Sequence, residues 1–203
     1  VSDYVGRVMA SDPVDFSKSE PPQLLRGLSA LQAEAAEGRR LPPVEKWNPP
    51  HCGSIPMRIA RDGTWFYMGT PIGRPRMVRL FSTVLRKDPG EFVLVTPVER
   101  VAIEVEDAPF IAATVEVTSE GAGQVLTFTT NVGDVVTADA AHPIRVIENP
   151  ATGEPSPYVL VRGGLEARLA RPVFYELADL AVERDGVMGV HSGGAFFPLG
   201  TAA

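Results

Sequence analysis

An α+β protein of two related, β-rich halves is encoded here, and three features of the chain say so. Residues 57–69 read as a β-hairpin, with apolar positions alternating on both arms around Asp62-Gly63, which supplies the φ > 0 pair of a two-residue turn. Nearly the same pattern returns 131 residues later over 188–200, aligning Ile59 with Val190, Gly63 with Gly194, Trp65 with Phe196, Phe66 with Phe197 and Met68 with Leu199. Two helical stretches both open on Arg-Pro, at Arg74-Pro75 and, 97 residues on, at Arg171-Pro172. Between them, from Phe92 to Val161, the pattern is almost wholly β.

Taken in order, residues 1–18 carry no clear periodicity. Ser19 has the character of an N-cap, and Leu24, Leu25, Leu28, Leu31 and Ala35 recur at helical spacing before Gly38, which predicts a helical N-terminal extension over 1–40. Residues 41–53 hold Pro42, Pro43, Pro49 and Pro50 and read as an extended connector anchored by Trp47. After the first hairpin a helix is expected from Arg74-Pro75 to about Asp88, with Met77, Leu80, Phe81, Val84 and Leu85 inward and Arg76, Arg79 and Arg86 outward. Strands follow over 92–96, 100–106, 110–119, 124–130, 144–147 and 158–161, separated by turn residues at 121–123, 131–134 and 149–150. The second helix runs from Arg171-Pro172 to about Asp185, and its inner face repeats the first: Phe174 stands for Met77, Leu177 for Leu80 and Val182 for Leu85. The outer face changes sign, Arg79 becoming Glu176 and Arg86 becoming Glu183. In the first half the hairpin precedes the helix and in the second it follows, so either the duplication is permuted or one similarity is convergence. The expected division is an extension (1–40), an N-terminal α+β domain (41–97) and a C-terminal β-rich domain with one helix (98–203).

Composition narrows the function classes. Of the 203 residues 44% are hydrophobic and 22% charged, as in ordinary globular domains. The apolar runs are shorter than a membrane span needs, the first residues lack a signal-peptide core, and Cys52 is the single cysteine, so a soluble, cytoplasmic protein without a membrane span is expected. A net charge of −6 opposes general nucleic-acid binding. The charge is uneven: residues 58–87 carry seven basic side chains against Asp62, while 99–148 carry nine acids against Arg100 and Arg145. A local positive region on an acidic protein suits a small anionic ligand, or is simply a solvated face.

Several distinct motifs resemble one bacterial family. These are Met57-Arg-Ile-Ala-Arg-Asp-Gly-Thr-Trp-Phe-Tyr-Met-Gly69, Leu80-Phe-Ser-Thr-Val-Leu-Arg86, Leu94-Val-Thr-Pro-Val98, Glu106-Asp-Ala-Pro-Phe110, Thr130-Asn-Val-Gly-Asp134 and Ser192-Gly-Gly-Ala-Phe-Phe-Pro-Leu-Gly200, in that order. Over residues 41–200 the chain is similar to the family called domain of unknown function twelve eighty-five. The resemblance implies a duplicated α+β core whose C-terminal half is pleckstrin-homology-like, and binding of a nucleotide-like ligand between the halves, in signalling.

Candidate ligand groups follow from residue chemistry. Arg74 enters a helix N-terminus, where free N–H groups favour an anion, though Pro75 and Pro172 equally serve as plain helix starters. Thr130 and Asn131 offer hydrogen bonds for a base or ribose, or else merely build a turn. Arg145, Arg162 and Arg168 sit in an acidic half as counter-ions or as phosphate clamps, and Arg61 adds a further guanidinium beside the hairpin turn. Of the aromatic pairs Trp65-Phe66 and Phe196-Phe197, one ring of each faces the core and the other outward; Trp65 is the candidate for stacking on a base. No P-loop or dinucleotide motif occurs, and His51, Cys52, His142 and His191 lack metal or nucleophile spacing, so no metal, cofactor or catalytic residue is expected. The leading expectation is a non-catalytic sensor binding a small anionic or nucleotide-like ligand at the domain junction. A scaffold that recruits a protein partner or its own copy comes second, and an uncharacterised hydrolase third.

Overall fold

The computed structural model describes residues 41–119, 123–148 and 152–201; the helical extension expected over 1–40 lies outside them. A 3-10 turn, Val44–Lys46, leads into the first unit. That unit comprises β1 (His51–Ile59), β2 (Trp65–Tyr67), β3 (Thr70–Pro71), α1 (Pro75–Thr83), β4 (Leu85–Asp88), β5 (Glu91–Val95) and β6 (Arg100–Val105). Its sheet has the order β3-β2-β1-β6-β5-β4, two antiparallel meanders closed by a parallel pairing of the first strand with the last. Helix α1 supplies the crossover between the two meanders, and the parallel pair depends on it because two parallel strands cannot be joined by a tight turn.

The chain continues as β7 (Phe110–Thr118), β8 (Val125–Thr130) and β9 (Val135–Thr137). It then forms β10 (Ile144–Glu148), β11 (Pro155–Arg162), β12 (Leu165–Leu169), α2 (Arg171–Asp179), β13 (Val182–Arg184), β14 (Val187–Ser192) and β15 (Ala195–Thr201). The second sheet is ordered β10-β11-β12-β7-β8-β9 and again contains one parallel pair, β12 with β7; β13-β14-β15 form a third sheet. Both helices are thus followed by a three-stranded antiparallel meander, and β15 lies against β10 as β6 lies beside β1. The 97-residue echo of the helices therefore extends to whole units, β1–β6 matching β10–β15, with β7–β9 between them. The hairpin similarity does not fit this order: β1-β2 open one unit, whereas β14-β15 close the other. Their turns differ too. Gly193 and Gly194 are both at positive φ, in a two-residue turn. In the turn of the first hairpin, residues 61–63, only Gly63 has positive φ, and Ala60 N–H donates to Thr64 O across it, so the expected Asp62-Gly63 pair at φ > 0 is not formed. Two good hairpins have converged here; the helix-and-meander unit is what repeats. The result is a two-domain, mostly β fold with two helices among the described residues.

Three expectations are corrected. Neither helix runs on to its Asp: α1 ends at Thr83 and α2 at Asp179. In the last turn of α1, Ser82 and Thr83 hydroxyls donate to the carbonyls of Arg79 and Leu80, both at 2.7 Å. The residues beyond then satisfy their backbone in edge strands, Leu85 opposite Leu94 and Val182 opposite Gly189. Arg86 consequently leaves the outer helix face and is buried in β4. A division at 97/98 would cut the first sheet, because β6 pairs with β5 on one side and β1 on the other. The chain passes between sheets at residues 106–109.

One apolar core runs through both sheets and under α2, from Ile59, Trp65 and Phe81 through Phe110 and Phe128 to Leu177 and Phe197. Trp65 stacks on Phe81 at 6.1 Å between ring centroids. The third sheet is fastened to the second by Ser192, fully buried, whose hydroxyl donates to Ala138 O at 2.6 Å and accepts from Leu126 N–H at 2.9 Å. Gln124 adds a bond to His191 O at 2.8 Å.

Candidate functional site

The seam between the halves is built around the four residues joining β6 to β7. Glu106 accepts from the Arg58 guanidinium and, at 2.9 Å, from the backbone N–H of Arg61, which fixes the turn after β1. Asp107 faces the other half: it accepts from the Tyr158 hydroxyl at 2.8 Å and lies 3.5 Å from Arg168 and 3.9 Å from Arg61. Burial and the Asp107 carboxylate together push the Tyr158 phenol above its usual range. Strand register explains why these groups meet. Arg145, Tyr158, Arg168 and Ile111 are cross-strand partners in sequence across β10, β11, β12 and β7, so all four point from one face of the sheet.

A groove of about 520 Å³ opens along this seam. Arg61 and Asp62 contribute from the first half; Arg168, Arg171, Phe174 and Tyr175 are among its walls from the second. The N-terminus of α2 lies in the same wall: Ala170 caps it without a side-chain hydrogen bond, and no acid occupies its first turn. The dipole of that terminus is therefore unopposed by an acid of the helix itself, although Pro172 offers no N–H and the Ala170 N–H is spent on Ala112 O at 3.0 Å. A second hollow, about 480 Å³ over the irregular β1–β6 register, holds one guanidinium, Arg58, which Glu106 already engages.

The expected site residues do not form one cluster. Arg61 and Arg168 come together in the groove. Arg145 stands two strands away from Arg168, bidentate to Glu166 at 2.5 and 2.6 Å and 4.7 Å above the Tyr158 ring. Arg162 lies elsewhere on the seam: it engages Asp134, donates to Ser82 O at the end of α1 at 2.8 Å and covers the Phe110 ring. Its bond to Ser82 ties the halves together, while Asp134, in its own half, holds the other arm of the guanidinium. Asn131 is a second tie, accepting from Ile111 N–H at 3.0 Å and donating to Gly63 O at 3.4 Å. Thr130 is buried, with its hydroxyl accepting from Asp134 N–H at 3.0 Å. Arg74 is exposed at the start of α1, away from the groove walls. Trp65 is corrected outright: it is 1% exposed and belongs to the core, while Phe66 carries the Arg58 guanidinium at 4.4 Å.

Asp107, Tyr158, Arg171 and Glu154 were not singled out from the sequence. Arg171 had a usable signal, since the Arg-Pro helix start that drew attention to Arg74 recurs there. Asp107 and Tyr158 had none, because 51 residues separate two partners that only the sheet register brings together.

Fold and seam define a two-domain, mostly β protein with an arginine-bearing groove at the domain junction. The chain belongs to the DUF1285 family. Residues 42–108 match "Domain of unknown function (DUF1285), N-terminal domain" and residues 109–199 match "Protein of unknown function (DUF1285), C-terminal domain". It is similar to a DUF1285 family protein from Silicibacter pomeroyi DSS-3, at 56% identity and a TM-score of 0.77 over 84% of this chain and 94% of the other. It also aligns with a DUF1285 family protein from Shewanella baltica OS155, at 26% identity and a TM-score of 0.49 over 62% of this chain and 91% of the other. No curated protein matches the chain. Among the described residues no helix is long and apolar enough to cross a membrane, and no His, Cys, Asp and Glu side chains gather as a metal site.

Proposed function

We propose that this chain is a non-catalytic binding protein that holds a small anionic ligand, nucleotide-like in size, in the groove between its halves, and serves as a cytoplasmic sensor. The observation that carries the reading is the meeting of Arg61 from one half with Arg168 and Arg171 from the other, beside an uncapped helix N-terminus. Guanidinium forks bind phosphate and carboxylate bidentately, and the positive end of a helix dipole favours the same anions. A volume of about 520 Å³ falls within the range of small-molecule sites. Ligand contacts reaching both halves would make the junction itself responsive to occupancy, which is what a sensor needs. The pleckstrin-homology-like reading of the C-terminal half is supported by its antiparallel meanders with one helix. Cys52, exposed and free, agrees with a reducing compartment.

Thermal unfolding with inorganic phosphate, nucleoside monophosphates, cyclic nucleotides and dinucleotides tests the reading. A ligand at about 100 times its dissociation constant adds about 2.7 kcal/mol, a rise of about 5–10 °C for a chain of this size. The rise should disappear in Arg168→Met and Arg61→Met. A flat panel at near-millimolar ligand, amino-acid anions included, removes the proposal. One observation favours recruitment of a protein partner or a second copy instead. The exposed face of α1 is basic, with Arg74, Arg76 and Arg79, and that of α2 beyond Arg171 at its start is acidic, with Glu176 and Asp179.

A further inference from the structure

We propose that the junction groove selects a monoanion that also carries an amine, of the α-amino-acid type with an aromatic or branched apolar side chain, in preference to a polyphosphate. The inference rests on the groove being the ligand site and concerns what kind of anion fits it. The reason lies in the acids that accompany its arginines.

Arg61, Arg168 and Arg171 share the groove lining with Asp62 and Glu154, which leaves one net positive charge. Asp107, outside the lining, lies 3.5 Å from Arg168 and 3.9 Å from Arg61 and brings the local balance to zero. Both distances exceed a hydrogen bond, so Asp107 neutralises the guanidiniums without consuming their donors. Directional bonding to an anion remains available, while the field that would gather several phosphates is cancelled. A ligand with three or four negative charges would meet Asp62, Glu154 and Asp107 as like charges, which is how a binding site rejects a competitor.

The two lining acids are well placed to receive a cation. Asp62 is anchored through Thr64 N–H to its Oδ1 at 2.9 Å, and the bonds from Thr64 hold its carboxyl below the usual range, so it is ionised throughout neutral pH. It sits beside Arg61 on the same turn, so an ammonium and a carboxylate held a few ångströms apart on one ligand would find both partners on this wall. Glu154 pairs with Arg171 at 3.1 Å, with both side chains more than 60% exposed. Such an exposed pair is weak and exchanges readily, so the ligand's own charges can replace each partner. The rest of the lining is apolar save for the Tyr175 hydroxyl, with Phe174, Pro157, Leu169 and Ile111 offering room for a side chain.

The test is calorimetric titration of the full chain with L-phenylalanine, L-leucine, their N-acetyl derivatives, AMP and ATP. The free amino acids should bind, and acetylation, which removes the ammonium but keeps the carboxylate, should weaken binding about tenfold or more. ATP should bind more weakly than either amino acid. In Asp62→Asn with Glu154→Gln the advantage of the free amine should vanish while N-acetyl binding holds or improves; Asp62→Asn keeps the acceptor that Thr64 uses. If the N-acetyl compounds equal the free amino acids, or AMP or ATP binds more tightly, the selectivity inference is overturned and the anionic-ligand reading stands. If no compound in the set binds, both fall.

Discussion

Arg86 offers the sharpest test of how the first unit is held together. Its residue is 7% exposed, and its guanidinium donates to both oxygens of Asp88, at 2.6 and 2.9 Å, and to the carbonyls of Val44 and Trp47, at 2.9 and 2.7 Å. One side chain thus fastens the 3-10 turn and the connector across the otherwise open edge of β4. The Arg86→Met change keeps most of the volume and removes the charge and all four bonds. Stripping one partner from a buried ion pair costs about 3–5 kcal/mol. The lower end applies here, since Asp88 retains Arg100 at 3.0 Å. A loss of about 3 kcal/mol lowers the melting temperature by about 6–12 °C in a protein of this length. The pH dependence has a definite sign. Hydrogen bonding from Arg86, ahead of the charges of Arg86 and Arg100, holds the Asp88 carboxyl below its ordinary value. Its contribution is therefore present above the unfolded-state value of about 3.9 and is lost as pH falls through the folded value. The gap between wild type and Arg86→Met should close in that acid window. A variant melting within about 2 °C of wild type at neutral pH would refute the reasoning, for then the guanidinium contributes no net anchoring.

Two further substitutions probe the seams. Ser192→Ala leaves the buried Leu126 N–H without an acceptor and should cost about 1–3 kcal/mol in denaturant titration, with hydrogen exchange at Leu126 accelerating; unchanged exchange there would disprove the fastening role. Gly63→Ala combines a φ of +84° with a Cβ that would fall 2.7 Å from Asn131 Nδ2 and 2.8 Å from Ile111 Cγ1. It should lower stability by about 1–3 kcal/mol and speed exchange at the Ile111 amide, which Asn131 holds; a variant as stable as wild type would show that the turn is not wedged between the halves.

What the sequence disclosed and what it concealed divide along physical lines. Hairpins and helix starts are local: alternation, glycine at a turn and proline in the first helical turn all act within a few residues, and among the described residues both hairpins and both Arg-Pro helix starts stand where expected, although the first turn spans three residues with Gly63 alone at positive φ. Helix ends are not local in that sense. Val84 to Asp88 continues the helical pattern, yet β5 offers a strand partner, and pairing with it decides the outcome. Arg86 follows the same logic, since helical period puts it outside and strand pairing puts it inside. Trp65 and Phe66 alternate as expected, but alternation does not say which of two adjacent rings faces in. The sheet order settled a question that periodicity leaves open, by showing that the helix echo extends to a whole unit and the hairpin echo does not. In the groove, Arg61 and Arg168 were legible by residue type alone. Asp107, which sets their electrostatic surroundings, was not, because an acid in an acidic stretch carries no signal until register puts it opposite a tyrosine and two arginines.

The family's two segments meet between residues 108 and 109, inside the four-residue passage from β6 to β7. A chain severed there would leave Glu106 and Asp107 on one fragment and Tyr158 and Arg168 on the other. The passage thus behaves as a plug seated in a socket: its first acid belongs to the body that carries it and its second to the body it enters. Neither segment is electrically complete when expressed alone, so the natural unit of study for this fold is the joined pair.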